Sequence, residues 1–163
     1  MRGADHRFRL LLAALALLVC GSAAWLPPQV AAQFGPDGAA NGTLPRALYL
    51  LLMLGLVVGL PLSITQLSLA MVGPEGEGLN VPNRRFWLAP ERREATLALL
   101  RRRMRTFATG LALFLGLVHG LTVMAHRHHP PRLDTPVFLA ALFLFLLSTA
   151  LWLAGLLLRF RRP

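Results

Sequence analysis

The sequence predicts an all-α membrane protein that crosses a lipid bilayer four times. Three observations predict this fold class: four long apolar runs that carry almost no charge, charged residues gathered between those runs, and a basic excess made only of arginine, with 17 arginines against seven acidic residues. About 20 apolar residues span the hydrocarbon core of a bilayer. Because no water reaches that core, the backbone must satisfy its own hydrogen bonds, and we expect each run to be a helix.

The first run covers about residues 9–26, with arginines before it and Pro27-Pro28 after it. A positive start, an apolar core and small residues at 21–24 also describe a secretory signal peptide. We favour a retained helix over a cleaved signal. In both cases the following loop, residues 27–46, is expected on the outer side of the membrane.

The other runs cover residues 47–72, 106–126 and 136–158. The second has no charged residue, the third is interrupted only by His119 before it ends at His126, and the fourth is closed by three arginines. Residues 73–105 and 127–135 connect them. At 163 residues, the chain is predicted to form one membrane domain, residues 1–163.

The arginines predict the orientation of the four helices. Fourteen of the 17 lie in the N-terminal segment, the 73–105 loop and the C-terminal segment, which alternate with the two outer loops. By the positive-inside rule, both termini and the 73–105 loop are cytoplasmic. The anionic inner leaflet is the predicted partner of Arg84, Arg85, Arg101, Arg102, Arg103 and Arg105. Because the arginines are clustered between apolar runs, they argue against a nucleic-acid partner. The lysine-free composition is typical of a high-GC bacterial genome, so we predict a bacterial inner-membrane protein.

A surface helix is predicted inside the basic loop. Pro90 suits the first turn of a helix, and Glu91 and Glu94 suit the positive end of its dipole. The helical pattern then continues into the third membrane run. Phe86 and Trp87, just before it, are residue types that favour the membrane interface.

Two polar residues inside the membrane runs are candidate functional residues, His119 and Gln66. Ionisable groups are costly in lipid and therefore suggest function, although a neutral imidazole hydrogen-bonded to a neighbouring helix is the alternative. His119 lies about 10 Å from the outer end of its helix, at 1.5 Å per residue. Cys20 and Ser22 lie at a matching depth, whereas Gln66 lies close to the inner surface, too far away.

The sequence offers little equipment for catalysis. His126, His128 and His129 are weak candidates for a metal site, since imidazoles bind zinc and copper but only Asp134 is a nearby carboxylate. We expect an incidental polar cap there, no metal and no cofactor. With seven scattered acidic residues and no nucleophile arrangement, the chain is not expected to be an enzyme.

Small and polar residues in the second and third runs predict packing. Gly55 and Gly59, and Gly116 and Gly120, have the spacing that lets helices approach closely, either within the bundle or between two copies. Pro61 predicts a kink in a stretch that also holds two serines, Thr65 and Gln66. Transporters use such broken helices, but usually in matching repeats, which this chain lacks.

Two stretches resemble a known family. They are similar to motifs of the bacterial domain of unknown function 1648, and they read LPPQVAAQFGPDGAANG (Leu26–Gly42) and NVPNRRFWLAPERREAT (Asn80–Thr96). This domain also forms the N-terminal part of SdpI-type immunity and signal-transduction membrane proteins. The resemblance covers about residues 10–126 and implies that the first helix is retained. It implies ligand or partner contacts for Gln33, Phe34, Gly35, Asp37, Gly38, Asn80, Pro82, Asn83, Trp87 and Arg92. The family has a histidine where this chain has Gln33, and the longer relatives continue with further membrane helices. Proton, metal and immunity roles are therefore not carried over.

The sequence thus predicts a small non-enzymatic membrane protein. We expect it to bind or sense a membrane-active peptide or envelope signal, or to assist a membrane protein partner. The alternative is a small transporter or permeation subunit that uses the polar second helix and His119.

Overall fold

The structure, a computed structural model, describes residues 2–73, 76–78 and 81–161 and is 74 % helical. Its helices are α1 (Arg2–Gly21), α2 (Arg46–Leu54), α3 (Leu60–Val72), α4 (Arg84–Trp87), α5 (Pro90–Ala125) and α6 (Thr135–Arg161). A 3₁₀ turn (Ser22–Ala24) follows α1, and a π-helical turn (Gly55–Gly59) joins α2 to α3. Among the described residues, four helical stretches are long and apolar enough to cross a membrane, as predicted. They are α1, α2 with the π-helical turn and α3, α5, and α6.

The first connection is a β-hairpin, which the sequence analysis treats as a loop. Strands β1 (Gln29–Phe34) and β2 (Ala40–Pro45) pair in antiparallel fashion. They are joined by a turn in which the Gly38 N–H donates to the Gly35 carbonyl over 2.9 Å. Pro36 presets the backbone of this turn, and Gly38 has φ of +81°, a conformation that glycine adopts without strain. The tetrapeptide GPDG is therefore the sequence signal for the hairpin.

The helices form a bundle with two distinct ends. The hairpin end comprises β1, β2 and residues 126–134, which follow α5. The arginine end comprises α4, the first turns of α5 and the last turn of α6. The start of α1 lies near the arginine end, because Asp5 forms a salt bridge with Arg105 of α5. Helix α5 continues unbroken through 36 residues from one end to the other, as its sequence pattern predicts.

Helix α1 packs closely against α5. Phe8 and Leu12 are buried with Ala108 and Ala112. One turn further along α5, Gly116 has no side chain to obstruct α1, and a Cβ there would lie 2.7 Å from a methyl carbon of Leu15. By contrast, nothing lies within 4 Å of such an atom at Gly55, Gly59 or Gly120. Of the four glycines, Gly116 alone is packed closely against another helix of the bundle, and packing between two copies stays a prediction for the other three.

The predicted kink takes the form of the π-helical turn. Pro61 lacks an N–H, and its ring crowds the carbonyl of the residue four positions earlier, Val57. Val57 lies inside the π-helical turn, which is wider than an α-helical turn. The hydroxyl of Thr65 donates to the carbonyls of Pro61 and Leu62, and that of Ser68 donates to Ile64. Two hydroxyls of this helix are thus paired with their own backbone rather than with a neighbouring helix.

Helix α6 lies on the outside of the bundle. No residue of its most apolar window is buried. It contacts α5 mainly through rings: Phe114 and Phe145 stack with their centroids 4.7 Å apart, and the Trp152 indole donates to the Arg103 carbonyl over 3.0 Å. Most of its apolar surface is left exposed.

Candidate functional site

The central feature is a buried histidine that links three helical elements. His119 of α5 is fully buried. Its Nδ1 lies 3.0 Å from the hydroxyl of Tyr49 in α2, and its Nε2 lies 3.1 Å from the hydroxyl of Ser22 in the turn after α1. The Tyr49 ring also stacks on the imidazole, with centroids 5.7 Å apart. Both partners are themselves buried.

The hydrogen-bond network assigns the tautomer of this imidazole. The Ser22 hydroxyl donates its only proton to the Val19 carbonyl, over 2.7 Å. It must therefore accept from His119, which places the ring proton on Nε2 and leaves Nδ1 to accept from Tyr49. The result is a directional chain from Tyr49 through His119 and Ser22 to a backbone carbonyl. A neutral imidazole satisfies every hydrogen bond in this chain.

The sequence analysis identified one of these partners. Ser22 is in contact with His119, whereas Cys20, the other residue at a matching depth, is exposed and makes no such contact. Tyr49 was not predicted as a partner, although it lies close to the start of α2 just as His119 lies close to the end of α5. Antiparallel neighbouring helices bring such positions to one level. Gln66, the second polar candidate, is exposed on α3.

A second histidine of α5 holds the hairpin. The Nε2 of His126 accepts from the Ala31 N–H of β1 over 2.9 Å, while its Nδ1 lies 2.8 Å from the Thr122 carbonyl. His119, Thr122 and His126 are three and four residues apart, so they share one face of the helix. This spacing is the sequence signal for a polar stripe that runs from the buried imidazole to the hairpin end.

The three histidines that are weak candidates for a metal site do not come together as a set of ligands. Both ring nitrogens of His126 are occupied by backbone groups, so neither is free to bind a metal. His128 and His129 are exposed. Within the described part of the chain, no three histidine, cysteine, aspartate or glutamate side chains are grouped to hold a metal ion.

The first family-like motif forms the tip of the hairpin and its attachment. The Asp37 carboxylate accepts from the Ala39 N–H, and the Asp37 carbonyl accepts from the Arg132 guanidinium. The Gly38 carbonyl accepts from Leu133, whose own oxygen leaves no room for a side chain at Gly38. Gly35 pairs with Ala39, Phe34 is half-buried and Gln33 is exposed. Aspartate and the glycines here therefore shape the turn.

The start of α2 fixes the base of the same hairpin. The Arg46 guanidinium donates to the carbonyls of Ala23 and Leu26, over 3.1 Å and 2.9 Å, and the Arg46 N–H donates to Pro28. This arginine is the sole charge in the first predicted outer loop besides Asp37. The hairpin is thus attached at its base, along β1 and at its tip.

The second family-like motif caps the end of α6. Asn83, which has φ of +54°, donates from its side chain to the carbonyls of Phe160 and Arg161. The Trp87 indole donates to the same Phe160 carbonyl over 3.2 Å, and its ring packs edge-on against the Phe160 ring. The last carbonyls of a helix lack partners within the helix, so these donors satisfy them.

The remaining motif residues lie around this cap. The Arg92 guanidinium lies 4.1 Å above the Phe86 ring, and Pro82 is exposed in the turn before α4. Asn80 lies outside the described residues. The Thr96 hydroxyl donates to the Trp87 carbonyl, and this contact joins the motif to α5.

No family model, curated protein or solved structure matches this chain.

Proposed function

We propose that the chain is a non-enzymatic bacterial inner-membrane protein that binds or senses a membrane-active peptide or envelope signal, or assists a membrane partner. In this proposal the four long helices span the bilayer and the hairpin end faces the periplasm. The arginine end, with both termini, faces the cytoplasm. The resemblance to the domain of unknown function 1648 is part of the proposal.

The arrangement of the ends supports this orientation. Most of the arginines belong to segments that meet at one end of the bundle: the start of α1 pairs with α5 through Asp5 and Arg105, and α4 packs against the end of α6. Guanidinium groups are retained on the side where the chain is made. The packing of α1 against α5 also supports a retained first helix, because its loss would leave His119 without Ser22.

The observation that carries the binding role is the attached hairpin. A connection of this length could be a mobile loop, yet it is held by His126, Arg46 and Arg132 at three separate points. Between these points β2 alternates exposed and half-buried residues, so that Asn41 and Thr43 face outward on one side. An ordered polar surface loses little conformational entropy when a partner binds to it.

A pair of variants tests this role. Asn41→Arg with Thr43→Arg places two charges on the exposed side of β2, whereas His128→Arg with His129→Arg places two charges at the same end outside the hairpin. In cells expressing each protein, we expect only the hairpin pair to abolish the change in sensitivity to membrane-active peptides, and to lose a copurifying partner. If expression of the unaltered chain changes neither, the binding role is wrong.

A labelling experiment tests the orientation by itself. In a Cys20→Ala background, a membrane-impermeant maleimide should label Thr43→Cys in intact cells and Glu91→Cys only after permeabilisation. Labelling of Glu91→Cys from the periplasm would overturn the orientation.

The second candidate function is a small transporter or permeation subunit. The observation that favours it is the directional chain of hydrogen bonds through His119, which is the kind of buried polar path that proton relays use. Its test is reconstitution into liposomes. No ion flux above empty vesicles, or a flux that His119→Ala leaves unchanged, would exclude it.

A further inference from the structure

Two cavities adjoin each other along α5 near the arginine end. The first has a volume of about 170 Å³ and lies between the end of α3, α5 and α6. The second, of about 390 Å³, lies nearer the start of α5. Leu97 and Arg101 line both, so the two cavities are neighbours, and together they are called the α5 recess.

The deeper cavity is apolar. Its lining is mostly aliphatic side chains and one thioether, among them Val72, Leu97, Leu100, Met104 and Leu156. A cavity of about 150 Å³ with such a lining stays dry and accepts small apolar groups. This one therefore suits a segment of hydrocarbon chain better than water or a polar solute.

The shallower cavity is polar. Besides the two shared residues, it is lined by Pro90, Arg93 and Glu94. Its lining thus includes two guanidinium groups and one carboxylate. Among the described residues, no carboxylate lies within salt-bridge distance of Arg101, which is exposed at the junction of the two cavities. A phosphate group with one negative charge complements the Arg101 guanidinium, and the Glu94 carboxylate can accept from a headgroup hydroxyl.

The order of the two cavities matches the order of groups in a lipid. Along α5 the polar cavity is lined from Pro90 to Arg101 and the apolar cavity from Leu97 to Met104, so the polar cavity begins nearer the start of the helix and the apolar cavity ends nearer its long apolar stretch. We propose that the α5 recess binds one phospholipid of the inner leaflet that has one net negative charge, with its phosphate at Arg101 and the upper part of an acyl chain in the apolar cavity. This inference rests on the membrane orientation given above, but not on the role of the hairpin.

Native mass spectrometry of the detergent-solubilised full chain, titrated with phosphatidylglycerol, tests the site. Arg101→Gln should weaken retention of this lipid about fivefold, because an arginine near an anionic group is worth about that factor. The matched control is Arg102→Gln, which removes an exposed neighbouring arginine that lines neither cavity. We expect the control to change retention less than twofold.

A second pair of variants tests the acyl cavity. Leu156→Trp fills it, and each methylene thereby excluded should cost about fourfold in retention. Leu157→Trp adds the same ring at the next, exposed position of α6 and should have no effect. If Leu156→Trp fails to fold, as judged by size-exclusion chromatography, Ser68→Leu fills the same cavity from α3.

Several outcomes would overturn the proposal. Equal losses from Arg101→Gln and Arg102→Gln would mean a diffuse attraction to the leaflet instead of a site. Equal retention of phosphatidylethanolamine and phosphatidylglycerol would refute the charge complementarity. Displacement of the lipid by inorganic phosphate alone would indicate a phosphate site, and a dimer mass that disappears with Leu156→Trp would indicate a second copy in the recess. The maleimide labelling is independent of all four results, so failure of the site and failure of the orientation can be told apart.

Discussion

The two ends of the bundle are held by different interactions. At the hairpin end, polar side chains have specific partners: the buried His119 pairs with Tyr49 and Ser22, and the half-buried His126 pairs with a backbone amide and a backbone carbonyl. At the arginine end, an aromatic cluster around Trp87 and Phe160 is buried, while the surrounding guanidinium groups are mostly exposed. An unpaired buried polar group costs much more than a lost surface charge. Each polar pair at the hairpin end is therefore expected to stabilise the fold individually, whereas each exposed charge at the arginine end contributes little to stability.

The largest expected effect breaks the aromatic cluster. Trp87→Ala removes a buried indole that both packs on Phe160 and caps α6, and such truncations cost about 3–5 kcal/mol. We expect a large fall in the thermal midpoint in detergent, followed by circular dichroism. Trp25→Ala is the matched control, since Trp25 is 74 % exposed at the other end. Equal falls for the two variants would mean that the cluster does not stabilise the fold.

The next effect concerns the pairing of His119. His119→Leu roughly keeps the side-chain volume but removes the imidazole to which the buried Tyr49 hydroxyl donates, and losing such an acceptor costs about 1–3 kcal/mol. Adding Tyr49→Phe should recover part of that loss, because both polar groups are then replaced by apolar ones. The measurement is a double-mutant cycle on unfolding midpoints. Strict additivity of the two substitutions would contradict the hydrogen bond.

A smaller, local effect is expected at His126. His126→Ala leaves the Ala31 amide without an acceptor, and a hydrogen bond of this kind contributes about 1 kcal/mol. Amide exchange should therefore rise about fivefold in β1 and β2 and remain unchanged in α5. His128→Ala and His129→Ala should not alter exchange in the hairpin. A rise spread over the whole bundle would show that His126 supports global stability rather than the hairpin.

Much of the fold follows from the sequence, for reasons that concern the membrane runs. Long apolar segments dictate helices, and Pro90 with Glu91 marks the start of α5 correctly. The hairpin was missed because hydropathy carries no information about short polar strands, although the turn residues Pro36, Asp37 and Gly38 signal it. The contacts of His119 were predicted only in part for a similar reason. The depth of a residue in the membrane predicts Ser22 beside His119, but it does not predict which face of α1 Cys20 occupies.

The contacts of the second family-like motif could not be predicted from local sequence at all. Asn83 and Trp87 bond to carbonyls that lie more than 70 positions further along the chain. No periodicity or spacing connects such positions. The residue type of Trp87 indicated a position near the membrane interface, and only the tertiary structure identifies the end of α6 as its partner.

The smallest expected effect is at the salt bridge between Asp5 and Arg105. Both side chains are partly exposed, and exposed ion pairs contribute about 0–1 kcal/mol, less in high salt. Asp5→Asn should therefore lower the unfolding midpoint slightly at low ionic strength and not at all in 1 M salt. The pair joins α1 to α5 at the arginine end, whereas His126 lies at the other end. The stability lost in His126→Ala should not depend on salt, so this result would sharpen the contrast between the two ends. A loss at Asp5 that persists in high salt would mean that this carboxylate belongs to the buried, individually paired groups, and the distinction between the two ends would fail.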